Sequence, residues 1–293
     1  MQQQKETVAV VKDEKNDAVY APNQFVEVNG RKLAYRSIGE GKPFILANRF
    51  RGIMDVWDPA FLNALAKSLN VIIFDYSGMG LSTGKAPETI EEFAKDIKDL
   101  ADGLGIEKAI IGGWSFGAMV AEVTLSFHPG LASHIIVIGA NPPGKNEGQI
   151  EPAFFDVSRR LNYTLEDETY LFFEPAVEAS RIAAAKSRER LALRTEDLDI
   201  MIPQELWDNF SIGIGTFIED KQDTRGELLR TKVPVLVLAG DHDVCFPVED
   251  WFALVRQLPT TQIIVMPKTG HGPQHEYPKL SARYIKNFVK YTK

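Results

Sequence analysis

Hydrophobic and polar positions follow a repeating order along most of the chain. Six short, nearly unbroken apolar runs occur at residues 43–47, 71–74, 109–112, 135–139, 235–239 and 263–266. Most are rich in Val and Ile and too continuous for strands with one wet face. They predict strands covered on both sides in a parallel sheet. Stretches with helical spacing lie between them, roughly at residues 58–68, 89–104, 116–127, 249–257 and 275–290. Thr89 followed by Glu92 gives the second of these a capping-box start. Upstream, apolar residues Phe25, Val26 and Val28 precede Asn29-Gly30, and Leu33, Ala34 and Tyr35 follow it. This predicts a β-hairpin, because Asn-Gly is the pair best suited to a type I′ turn. Strand–helix alternation of this kind predicts an α/β fold, a mostly parallel twisted sheet of about eight strands flanked by helices.

One interval breaks the rhythm. Between residues 142 and 231 no strand pattern stands out, and helical stretches are expected near 151–161, 166–172, 176–192 and 203–218. Some 90 residues between two sheet strands are too many for a loop. The expected organisation is a flexible N-terminal arm over 1–23, a core built from 24–141 and 232–293, and a helical cap over 142–231. Eight aromatic residues of that interval, Phe154, Phe155, Tyr170, Phe172, Phe173, Trp207, Phe210 and Phe217, are read as its own small core in preference to a pocket lining.

Charge narrows the choice of partner. The chain carries 33 basic and 40 acidic residues, a formal net charge of −7. Phosphate-backbone binding needs a basic footprint, so no nucleic acid is expected. No apolar run approaches the roughly 20 residues of a membrane span, and no secretory leader is read at the N-terminus. A single cysteine, Cys245, excludes an intrachain disulfide, and a cytoplasmic location is expected. No metal-ligand spacing occurs, and no cofactor is expected.

The chemistry is concentrated in IIGGWSFGA, residues 110–118. Gly113-Trp114-Ser115-Phe116-Gly117 is a G-x-S-x-G pentapeptide with an apolar strand before it and an apolar helix after it. That setting puts Ser115 on a sharp strand-to-helix turn, where small flanking residues let the two elements pass closely. A serine hydroxyl needs an adjacent base. Among five histidines, His271 lies between Gly270 and Gly272, after the last strand and before the last helix. Loops at the carboxyl ends of strands are where active-site groups gather in open α/β sheets. The base in turn needs a carboxylate, and Asp241 and Asp243 both follow the strand at 235–239.

These residues, in the order Ser, acid, His, resemble those of the α/β-hydrolase fold superfamily over essentially residues 25–291. The resemblance implies a glycine three residues before the acid and a proline four after it. Gly240, Asp243 and Pro247 fit, which selects Asp243. It also implies an oxyanion hole made by two backbone amides. One is that of Phe116, after the nucleophile. The other follows the third strand, where the family usually has His-Gly. Here Asn48-Arg49 stands in that place, and Phe50 becomes the expected donor. Asn48, Arg49 and Trp114 are expected to contact substrate. Arg49 and Arg51 either reach an anionic substrate group or, in the preferred reading, pair with Asp55 or Asp58. Asp75 in DYSGMGLSTG is expected to tie down a tight turn, and Cys245 to be a buried apolar group.

The activity so implied is hydrolysis of an ester, lactone or related acyl bond of a small molecule by a Ser115–His271–Asp243 triad. The same triad also serves non-haem haloperoxidase (perhydrolase) chemistry and carbon–carbon bond hydrolysis. Some superfamily members keep it while acting as small-molecule receptors or signalling proteins.

Overall fold

Asn29 and Gly30 both adopt positive φ, 50° and 76°, as a type I′ turn requires. They join β1 (Gln24–Val28) to β2 (Arg31–Ile38), with Val28 opposite Arg31. The computed structural model describes residues 17–292. The other strands are β3 (Lys42–Ala47), β4 (Leu69–Phe74), β5 (Ala109–Trp114), β6 (Ala132–Ile138), β7 (Val235–Gly240) and β8 (Thr261–Met266). They form one eight-stranded sheet in the order β1-β2-β4-β3-β5-β6-β7-β8. The β1–β2 and β2–β4 pairings are antiparallel and the rest parallel.

Successive residues of the central strands face opposite sides, and both sides are buried. Ile45, Ile72, Ile111 and Val137 join one core with Phe93, Ile97 and Val120, which come from α2 (Ile90–Gly103) and α3 (Phe116–Phe127). Phe44, Ile73, Ile110 and Ile136 join the other with Phe61, Leu65, Ile285 and Phe288, from α1 (Pro59–Ala66) and α11 (Pro278–Tyr291). This two-sided burial explains the unbroken apolar runs. The Thr89–Glu92 capping box is formed as expected.

Between β6 and β7 the chain makes α4 (Pro152–Ser158), α5 (Leu165–Phe172), α6 (Glu178–Leu191), α7 (Trp207–Glu219) and α8 (Thr224–Arg230). The last of these lacks a clear apolar period and was not expected. Two helices differ from expectation near the C-terminus. α9 is only Glu249–Phe252. The final helix is divided into α10 (Pro273–Glu276) and α11, with the break at Tyr277-Pro278. Proline has no N–H to continue the ladder and restricts the residue before it.

The expected flexible arm needs correction where it is described; residues 1–16 lie outside the described residues. Ala21 is fully buried. Ala18 N–H donates to Asn63 Oδ1 at 2.7 Å, and Asn23 N–H to Asp197 Oδ2 at 2.7 Å. Arg194 donates to the carbonyls of Val19 and Ala21. Residues 17–23 are thus fixed between α1 and the helical insertion. Their small and polar side chains gave no periodic signal because long-range partners hold them.

Candidate active site

Four loops leave the carboxyl ends of β3, β5, β7 and β8 and meet at one edge of the sheet. Ser115 follows β5 directly and starts α3. Its φ of 58° and ψ of −125° lie outside the regions an L-residue prefers, at a cost of order 1–3 kcal/mol. Its N–H is held by Ile138 O at 2.8 Å. The glycines are required by contact. A Cβ at Gly113 would lie 2.2 Å from the Gly117 main chain, and one at Gly117 would lie 2.0 Å from Ala47 O.

His271 is 2% exposed and follows β8. Its Nδ1 is 2.8 Å from Asp243 Oδ2, on the loop after β7. Asp243 Oδ1 accepts the N–H groups of Cys245 and Phe246 at 2.8 and 2.9 Å. Both carboxylate oxygens are therefore engaged, and the carboxylate is fixed against the ring. Asp241 instead lies beside His242 Nδ1 at 2.6 Å, on the exposed side of the loop. The His271 loop is strapped to the neighbour of Ser115, since Trp114 Nε1 donates to His271 O at 2.9 Å. Among the described residues, neither His271 Nε2 nor the Ser115 hydroxyl is hydrogen-bonded, so the bond between them is open. Burial and the nearby Asp243 charge hold the Cys245 thiol well above its ordinary pKa, leaving it unreactive at neutral pH.

The turn after β3 runs from Arg49 to Gly52 and is closed by Gly52 N–H on Arg49 O at 2.8 Å. Ala47 pairs with Gly113 across β3 and β5, which brings this turn beside Ser115. Neither the Phe50 nor the Phe116 amide donates to a protein acceptor among the described residues. Ser115, Phe50 and Phe116 line a cavity of about 230 Å³ together with Cys245 and Phe246 from the core. Ile150, Phe154, Phe155, Ser158, Arg159, Ser211 and Ile214 of the insertion complete it. Arg159 is the only charged side chain in that lining, and it donates to Ser211 Oγ at 3.1 Å. Phe154 and Phe155 thus face the cavity, contrary to the core role expected for them, whereas Trp207, Phe210 and Phe217 are buried in the core.

Three expected substrate contacts are placed elsewhere. Asn48 is fully buried, and its amide is consumed by Phe74 O at 2.7 Å and Trp57 Nε1 at 2.8 Å. Trp114 and Arg49 line a separate cavity of about 130 Å³ that does not include Ser115. Arg49 stands over the Trp114 and Phe172 rings, 5.3 and 4.9 Å from their centroids, and donates to Phe50 O at 2.7 Å. The expected pairing of Arg49 and Arg51 with Asp55 or Asp58 is also not found. Asp55 pairs with Arg36, and Asp58 with Arg190. Arg51 turns into the insertion instead (below). His275 is buried, bonded to Ser187 Oγ at 2.9 Å, and burial lowers its pKa to about 4. Arg159 and Ser211 were missed because nothing local to either sequence position marks a cavity wall.

This sheet, with a serine on its tight strand-to-helix turn and an acid–histidine pair, is the architecture of one family. A family model described as alpha/beta hydrolase fold matches residues 42–278, and the chain belongs to that family. It is 26% identical over 283 residues to the proline iminopeptidase PfmaB of Pestalotiopsis fici, covering 91% of this chain and 99% of that one. It is 25% identical to a pimeloyl-[acyl-carrier protein] methyl ester esterase of Vibrio campbellii, covering 83% and 94%. A solved alpha/beta hydrolase fold protein from Chitinophaga pinensis superposes with a TM-score of 0.84 at 28% identity, covering 94% and 100%. Among the described residues, no helix is long and apolar enough to cross a membrane.

Proposed function

We propose that the protein is a serine hydrolase acting on an ester or related acyl bond of a small, largely apolar substrate, with the insertion serving as a cap over the site. The observation that carries this reading is the strained Ser115 on a cavity it shares with two unbonded amides, beside an imidazole held by Asp243 at 2.8 Å. The names of the relatives, an esterase and an iminopeptidase, agree with acyl transfer.

In this mechanism Ser115 Oγ attacks the substrate carbonyl and gives its proton to His271 Nε2. A hydroxyl–imidazole bond that is open in the resting site commonly closes when substrate is bound. Asp243 holds the ring in the tautomer with Nδ1 protonated and steadies the imidazolium. The amides of Phe50 and Phe116 bind the tetrahedral oxyanion. The carbon–oxygen bond to the leaving group breaks, and His271 returns the proton to it. Water then gives a proton to His271 and attacks the acyl-enzyme, which releases the acid and restores Ser115. A cavity of about 230 Å³ is below the usual roughly 300–1,000 Å³ of ligand pockets and favours short or compact acyl groups.

Turnover of short-chain nitrophenyl esters tests this. Ser115→Ala should remove it by at least about 10³-fold with the circular dichroism spectrum unchanged. Hydrolysis that survives in the alanine variant refutes the reading. Tight ligand binding without turnover at any acyl length would point to a receptor.

A further inference from the structure

Arg51 occupies the third position of the turn that presents Phe50, and its φ is 58°. Glycine or asparagine is the usual choice there, and a long side chain is strained. The reason for an arginine lies over 100 residues away. The side chain is 5% exposed and makes no ion pair among the described residues. Its guanidinium is spent on the chain just after α4. Nη1 donates to Ser158 O at 2.9 Å, Arg160 O at 2.6 Å and Tyr163 Oη at 3.2 Å, and Nη2 to Leu161 O at 2.9 Å. The flat face of the group lies 3.7 Å from the centroid of the Trp207 ring. The Phe50 ring packs edge-on to that same indole.

We infer that Arg51 is a positioning residue that locks the Phe50 turn to the end of α4, so that the oxyanion amide and the cavity wall are set by one side chain. The inference rests on the proposed role of Phe50. The chemistry suits the task. A guanidinium offers five donors in a fixed fan, which can satisfy several carbonyls that do not point at one spot. Its positive charge also sits at the carbonyl end of α4, where a cation is favoured. Ser158 and Arg159, at the gripped end, line the cavity. A lysine there would keep the charge and lose the fan.

Arg51→Gly separates the two duties of the residue, because glycine adopts the positive φ freely and deletes only the clasp. With a short nitrophenyl ester, kcat is expected to fall on the order of 10- to 100-fold, as for a misplaced oxyanion donor, while KM changes less than about threefold. The loss should steepen with acyl length, since the α4 wall is loosened too. Arg51→Lys should behave similarly. Millimolar guanidinium should restore part of the activity of the glycine variant, whose site it can refill, and none of that of the lysine variant. Hydrogen exchange gives a readout independent of turnover. The amide of Gly52 in the turn and those of residues 153–163 should lose protection together in Arg51→Gly.

Wild-type kcat and acyl-length profile in Arg51→Gly would overturn the inference, as would exchange that rises in only one of the two segments. Should the wild type hydrolyse no ester, the hydrolase reading fails and the exchange result alone decides the clasp. Should the glycine variant not fold, the lysine variant decides it by the same measurements.

Discussion

Glu122 lies on α3, seven residues beyond the proposed nucleophile, and is fully buried with neither carboxyl oxygen hydrogen-bonded among the described residues. Arg225 is the cation whose field reaches it, but that guanidinium is already spent on Pro143 O and Asn146 Oδ1 at 2.5 and 2.6 Å. Burial therefore holds the Glu122 pKa well above the ordinary glutamate value, and the group is kept neutral in the fold. Glu122→Met keeps the volume and removes the polar group. The unsatisfied neutral carboxyl costs about 1–3 kcal/mol. Taking up a proton on folding at neutral pH adds about 1.4 kcal/mol for each unit by which the pKa is raised. Exchanging buried ionisable groups for apolar ones commonly gains ~1–4 kcal/mol. A gain of about 2–4 kcal/mol is expected, a rise in Tm of roughly 3 °C or more for a chain of this size. The sign with pH follows from the raised value. The stability of the wild type is fully present below the unfolded pKa, about 4.3, and is lost as pH rises toward the folded one. The methionine variant has no such loss, so its advantage in thermal or urea unfolding should widen from pH 4 to pH 8. A variant that is less stable than wild type, or an advantage that does not change with pH, would refute the reasoning.

Two further outcomes are expected. Ser115→Gly should abolish turnover yet unfold about 1–2 °C higher than wild type, because glycine relieves the positive φ; Ser115→Ala, which keeps Cβ, should not show the rise, and equal melting temperatures for the two would contradict the strain. Met54 N–H donates to both Asp75 Oδ1 (3.2 Å) and Asp199 Oδ2 (2.8 Å), and burial first, then for Asp75 the neighbouring Asp199 charge, raises both pKa values. The stability this pair confers is complete below about pH 4 and is lost as pH rises through the folded values, so Asp199→Asn should lose less Tm than wild type between pH 5 and pH 8; parallel Tm curves would contradict the raised values.

The framework was legible because its causes are local. Two-sided burial leaves unbroken Val and Ile runs, Asn29-Gly30 writes its own turn, and Thr89 with Glu92 marks a helix start. The residues alone left Asp241 and Asp243 both open; the spacing to Gly240 and Pro247 that the family resemblance implies selected Asp243, and the structure puts Asp243, not Asp241, against the His271 ring. Four of the errors share one cause. Asn48, Arg49, Arg51 and residues 17–23 are each decided by partners distant in sequence. Arg51 is the plainest case, since nothing near it announces carbonyls at 158, 160 and 161. Arg49 was read as a charge looking for an acid or an anion, whereas two aromatic faces and one carbonyl hold it. The break before Pro278 was visible in the sequence and was passed over because the apolar period runs straight through it.

The helical insertion departs after β6 and returns at β7, and these two strands are hydrogen-bonded neighbours, with Ile138 opposite Leu238. The two strands are parallel, so the insertion leaves at the carboxyl edge of the sheet and re-enters at the amino edge, and the β6–β7 ladder fixes the separation of its two ends whatever the length or shape of what lies between. Such a segment behaves as an exchangeable module. It can be lengthened, trimmed or rewritten without shifting the register of either neighbour, so a lineage can change what enters the cavity while the hydroxyl, the imidazole and the carboxylate stay on their own strand ends.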